Sequence, residues 1–218
     1  MSQLLFWGAT SLVLGLVVPA AVLLLSGWRL GDLGLGWPNQ LGRRFILAGV
    51  VLSIPFGMWL LVEAPWAIAR AWGEFPYLGP CAGLAMLGEH SLLSGIFAAL
   101  LLPGRRLPAS VPTAPVQGPR WQRLLRWLGL AQPAGMSDEP RVLAWLGLTV
   151  PEVFAILASA MMFLMIHVSK ESRLELLLAF PGGAVMAYMT LRCRSIWPGL
   201  VAHYALNLIP LGLWRAFW

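Results

Sequence analysis

Ala85-Met86-Leu87-Gly88-Glu89-His90-Ser91-Leu92-Leu93-Ser94-Gly95-Ile96-Phe97 lies inside an apolar run that extends from about Leu78 to Leu102. A run of that length crosses ~30 Å of hydrocarbon as an α-helix. At its middle sit two ionisable residues side by side, Glu89 and His90. One such group at bilayer depth costs at least ~2.5–3.5 kcal/mol on insertion scales, so an adjacent pair calls for a compensating role. The stretch thus predicts a helix in lipid and marks where its function is to be sought.

The rest of the chain has the same solvent. Of 218 residues, 59% are hydrophobic and only 11% charged, and mean hydropathy is +0.75. This is the composition of an integral membrane protein. Six runs are long enough to span, at roughly 4–26, 44–63, 78–102, 149–169, 174–192 and 195–217. They are continuous rather than alternating, which argues against a barrel, and an isolated hairpin in lipid would leave backbone groups unsatisfied. The expected fold is all-α, a polytopic transmembrane bundle of about six spans. Residues 1–77 supply two N-terminal spans and their loops, and 78–218 a helical core interrupted by a basic, proline-rich loop at 103–148. The first run is too long for a signal sequence and has no basic residue before it, so a retained anchor is expected.

A net charge of +6 raises the question of nucleic acid. The basic residues fall between spans rather than on one soluble face, so topology explains them and no nucleic-acid partner is expected. Eleven of the fifteen lie in the first, third and fifth loops: Arg29, Arg43, Arg44, then Arg105, Arg106, Arg120, Arg123, Arg126, Arg141, then Arg192 and Arg194. The positive-inside rule puts those loops in the cytoplasm and both termini outside. A bacterial cytoplasmic membrane is the expected location. Most of the twelve tryptophans, among them Trp28, Trp37, Trp66, Trp72, Trp197 and Trp214, fall near span ends as interfacial anchors do. Cys81 and Cys193 fall near opposite ends of their spans and are expected as free thiols.

Within the long loop, Pro103, Pro108, Pro112, Pro115 and Pro119 predict an irregular linker. In the following RWQRLLRWLGL, Trp121, Leu124, Leu125 and Leu128 share a helical face, which fits a short helix in the headgroup region or a basic flank that fixes topology. Thr149-Val150-Pro151-Glu152 has the form of a capping box with proline in the first turn, so Glu152 is expected as a cap rather than a catalyst.

All three histidines, His90, His167 and His203, lie inside predicted spans. A single buried histidine is usually structural; three of three, joined by Glu89 and Asn207, point to a site. Helical rise puts Glu89 and His203 both near mid-membrane, with His167 somewhat nearer the outer surface. Phe163 and His167, like His203 and Asn207, are four residues apart and share a helix face.

Three elements occur in order: Glu89-His90-x-x-x-Ser94-Gly95, Phe163-x-x-x-His167, and Ser195-Ile196-Trp197-Pro198-x-x-x-x-His203-x-x-x-Asn207. They resemble the CAAX protease and bacteriocin-processing family of intramembrane proteases, whose pattern is Glu-Glu-x-x-x-Arg, Phe-x-x-x-His and His-x-x-x-Asn on successive helices. Arg192-Cys-Arg-Ser-Ile-Trp-Pro198 is similar to the family's Arg-x-Gly-Ser-Leu-Trp-Pro approach. The resemblance covers roughly 78–210. It implies that Glu89 and His167 activate water while His203 and Asn207 stabilise the oxyanion, with Phe163 in support. In the first element His90 replaces the second glutamate and Ser94 the arginine, so both are supporting positions.

Peptide hydrolysis needs an activated water and donors aimed at the oxygen that gains charge, and a desolvated carboxylate, an imidazole and an amide supply both. No cofactor is required by this scheme. Zinc is the alternative, with Glu89, His167 and His203 as ligands, although His90 projects ~100° from Glu89. The leading expectation is a glutamic-type intramembrane endopeptidase acting on a membrane-associated protein or peptide, with membrane lipid as its other partner. A non-catalytic binding or chaperone-like member of the family, and a proton-coupled transporter, are the alternatives.

Overall fold

The computed structural model describes residues 2–63, 65–66, 68–69, 82–102, 141–143, 146, 148–168 and 173–217. The expected linker at 103–119, the helix at 121–128 and Cys81 lie outside them.

Six helices follow the six apolar runs. Helix α1 comprises Ser2–Leu12, a π-helical segment Val13–Val17 and Val18–Leu25. Helix α2 is Gln40–Glu63, α3 is Ala82–Leu101, α4 is Val150–His167, α5 is Arg173–Cys193 and α6 is Trp197–Phe217. The first five are long and apolar enough to cross a membrane. Helix α6 matches them in length but carries His203, Asn207, Pro198 and Pro210, which lower its apolarity. Helix α6 packs along α2, and α4 packs along α5. Helix α3 is central, with 56% of its spanning window buried against 17% for α1 and for α2.

A short antiparallel pairing accompanies the all-α bundle that the sequence predicts. β1, Arg141–Leu143, pairs with β2, Leu148–Thr149. It lies just before α4, in the loop region, where no lipid penalty applies to its unpaired edges. The capping box forms as the sequence predicts. Glu152 Oε2 accepts from the Thr149 backbone N–H at 2.8 Å and from the Thr149 hydroxyl at 3.1 Å.

Close helix approaches rest on glycine. A Cβ at Gly88 would run into the Ser11 carbonyl oxygen, so α1 and α3 touch backbone to backbone one residue before Glu89. A Cβ at Gly183 would lie 2.9 Å from Phe163 Cβ, so α5 approaches α4 there and holds Phe163 in place.

The three loops assigned to one face by charge are joined there. The Ile196 N–H donates to the Gly34 carbonyl at 2.8 Å and the Ser195 hydroxyl to the Gly36 carbonyl at 2.8 Å, tying the first loop to the fifth. Arg192 Nη2 donates to the Leu146 carbonyl at 2.6 Å, tying the third to the fifth. Arg192 is therefore a buried residue of the last turn of α5 rather than a loop residue. Leu33 of the first loop is fully buried beside Ala20 and Ile96, and its carbonyl oxygen would meet a Cβ at Gly95 at 2.5 Å. That contact explains why glycine follows Ser94.

Candidate functional site

The hydrogen-bonding ladder of α3 changes within the stretch Ala85–Phe97. From His90 to Phe97 the helix is π-helical, beginning immediately after Glu89. Such segments in α-helices occur frequently at functional sites. Gly88 faces α1 and His90 faces α6. At ~100° per residue, Glu89 projects between these two directions. Its side chain is half-buried.

His90 is 1% exposed. Its Nε2 lies 3.0 Å from Nδ1 of His203, and the two ring centroids are 5.3 Å apart. The depths agree. Gly95 contacts Ile196 at the loop face; five residues along α3 to His90 and seven along α6 to His203 are both on the order of 10 Å at the usual helical rise.

Phe163 joins the third histidine to this pair. Its ring centroid lies 6.3 Å from His90, 5.8 Å from His203 and 4.4 Å from His167, the last as a stacked pair. His167 and Phe163 are both buried. His167 Nδ1 lies 2.7 Å from the Phe163 carbonyl oxygen, which accepts only and so assigns the ring hydrogen to Nδ1. The basic nitrogen of His167 is then Nε2. The Phe-x-x-x-His spacing thus does two things: it stacks the rings and selects the tautomer.

The remaining expected residues are less concentrated. Asn207 is exposed, and its Nδ2 donates to the His203 carbonyl at 3.0 Å. Ser94 is buried in the π segment, and Ser91 donates back to the Leu87 carbonyl at 2.6 Å. Among the described residues no three His, Cys, Asp or Glu side chains are grouped to hold a metal ion, so the set Glu89, His167 and His203 is not assembled as zinc ligands in this conformation.

One contact went unanticipated. Sequence reasoning placed His90 in a supporting position, yet it bonds His203 directly. The signal was present in the depth estimate, because a residue adjacent to Glu89 shares its level with His203.

The turn that leads into α6 has its own signature. Arg194 has φ of 54°, the only non-glycine residue with positive φ among the described residues. It occupies the place where the resembled approach has glycine. A side chain in this left-handed region costs roughly 1–2 kcal/mol, which glycine escapes. Ile196 and Pro198 beyond the turn are buried, and Trp197 stacks at a tilt against Trp37 with centroids 6.2 Å apart.

No curated protein and no solved structure matches the chain. Residues 125–209 match the family described as type II CAAX prenyl endopeptidase Rce1-like. The match contains Phe163, His167, His203 and Asn207 and leaves Glu89, His90 and Ser94 outside it. The second and third motif elements thus lie within the part of the chain that is similar to the Rce1-like family of CAAX protease and bacteriocin-processing proteins.

Proposed function

We propose that the chain is an intramembrane endopeptidase that hydrolyses a peptide bond of a membrane-associated protein or peptide. The observation that carries this reading is the gathering of all three histidines, from α3, α4 and α6, around the ring of Phe163. A purely structural core has no need to collect its only imidazoles in one place within lipid.

In this reading Glu89 takes a proton from water, aided by Nε2 of His167, and the water oxygen attacks the scissile carbonyl. The proton later passes to the leaving amine. The carbonyl oxygen gains charge and is met by N–H donors from His203 and Asn207. The Asn207 amide nitrogen has two hydrogens, and the one bonded to the His203 carbonyl fixes the direction of the other.

His90 supplies the hydrogen-bond partner that makes His203 a donor. Among the described residues His90 Nδ1 has no hydrogen-bond partner. The built Cβ of Gly199 would lie 3.5 Å from Nδ1, so this ring edge is closed by glycine. A buried N–H without an acceptor is rarer than a buried lone pair without a donor. The hydrogen of His90 therefore belongs on Nε2, where it donates to Nδ1 of His203. This fixes the hydrogen of His203 on its Nε2, the nitrogen suited to an oxyanion.

The substrate side follows from topology. With loops one, three and five in the cytoplasm, His167 at the far end of α4 is directed toward the outer face, which suits a leader peptide or a C-terminal membrane tail. Purified protein in proteoliposomes should cleave a peptide of that kind at one position, with activity retained in chelator. Loss of cleavage in chelator and its return with zinc would replace the glutamic mechanism by the metal one. The replaced positions His90 and Ser94 favour the second reading, a binding protein without turnover, and consistent binding with no cleavage would establish it.

A further inference from the structure

The join between the first and fifth loops encloses a depression of about 420 Å³, lined by Arg29, Asp32, Trp37, Asn39 and Arg194 among others. It is separate from the histidine cluster, which lies about 10 Å deeper by helical rise. The geometry points to a seat for the phosphate of an anionic phospholipid headgroup, gripped between Arg29 and Arg194.

Its walls are fixed before any ligand arrives. Ile196 N–H and the Ser195 hydroxyl hold the loop at Gly34 and Gly36. Asp32 Oδ2 accepts from the backbone N–H of Arg29 at 2.9 Å, so that carboxylate closes the turn. Asn39 Oδ1 accepts from the Gly42 N–H at 2.8 Å, which leaves its amide hydrogens as donors at the rim. Two arginines outnumber the one carboxylate, and among the described residues neither Arg29 nor Arg194 forms an ion pair.

The backbone supports a role for Arg194 in particular. This position holds arginine at φ 54°, where glycine would be unstrained. Non-glycine residues persist in that region when the surrounding structure compensates, and such outliers concentrate at ligand sites.

Trp37 identifies the phosphate as a lipid's. It is 88% exposed and packs on Trp197 at the start of α6. A large aromatic ring open to its surroundings at a helix end belongs at the headgroup level. The face is also the arginine-rich one, where the cytoplasmic leaflet presents anionic headgroups, and arginine forks match phosphate oxygens.

Native mass spectrometry of the intact protein in detergent, with added phosphatidylglycerol or phosphatidylcholine, tests this. Wild-type protein should retain phosphatidylglycerol in preference, and inorganic phosphate at millimolar concentration should displace little of it. Arg29→Gln and Arg194→Gly should each weaken phosphatidylglycerol retention roughly five-fold, in line with the contribution of one basic residue at an anionic surface. Arg194→Gly suits the backbone of the turn, so its effect reports lost charge and not lost fold. Equal retention of the two lipids, or unchanged phosphatidylglycerol retention in both variants, would overturn the site. Full displacement by inorganic phosphate would make it a free-anion site and overturn the lipid assignment.

Discussion

His90 Nε2 lies 3.0 Å from His203 Nδ1, a bond between residues 113 positions apart that ties the central helix to the last one. If this bond sets the tautomer of His203, Nδ1 of His203 is bare and Nε2 carries the hydrogen. Side-chain ¹⁵N spectra of histidine-labelled protein, assigned by single histidine substitutions, should show this pattern in the wild type and a mixture of tautomers in His90→Phe. His90→Gln, which keeps a donor, should stay closer to the wild type. A His203 protonated on Nδ1 in the wild-type protein would contradict the assignment without bearing on whether the protein cleaves peptides.

Glu152 is a buried carboxylate inside the family match, and its bonds to Thr149 make it a helix cap. Glu152→Ala should lower the unfolding free energy by about 0.5–2 kcal/mol, as loss of such a cap does, and leave turnover per folded molecule near normal. Thermal unfolding beside an activity assay checks both halves. A stable but inactive variant would move Glu152 into the catalytic set.

Gly183 faces Phe163 where α5 packs against α4. Gly183→Ala should cost about 1–3 kcal/mol through overpacking, since the nearest atoms are Phe163 Cβ and Ala160 Cα, neither of which is a flexible chain end. Because Phe163 carries the ring contacts of all three histidines, the variant should also lose activity beyond its loss of folded protein. Unaltered stability would show that α4 and α5 are not held at this distance.

The helices and the histidines that they gather were legible in the sequence, because lipid enforces both. Apolar runs of spanning length have few alternatives to helix, and histidines have few reasons to sit within them. The cap at Thr149 was legible because its determinants are local. What escaped was set by contacts between distant segments. The π-helical turn after Glu89 and the bond from His90 to His203 depend on how α3 meets α6. The inward course of Leu33 against Gly95 depends on a loop whose composition looks like a simple connection. Arg192, counted as a loop charge, turns inward to a carbonyl that only the folded third loop supplies.

Topology needs a probe other than the native thiols, since Cys193 is buried. In a background with both cysteines replaced, Trp37→Cys offers a thiol at an exposed position of the first loop. An impermeant maleimide should fail to modify it in intact cells and modify it once the membrane is opened. Modification in sealed cells would turn the site toward the cytosol and make a prenylated C-terminus the better substrate.

The most direct test of hydrolysis by this site compares wild-type and Glu89→Gln proteins, equally folded in proteoliposomes, on the same membrane-tail peptide. Glutamine keeps the size and hydrogen bonding of Glu89 but removes its basicity, so turnover should fall by at least ~10²-fold. Near-normal cleavage by the Glu89→Gln protein would contradict the account.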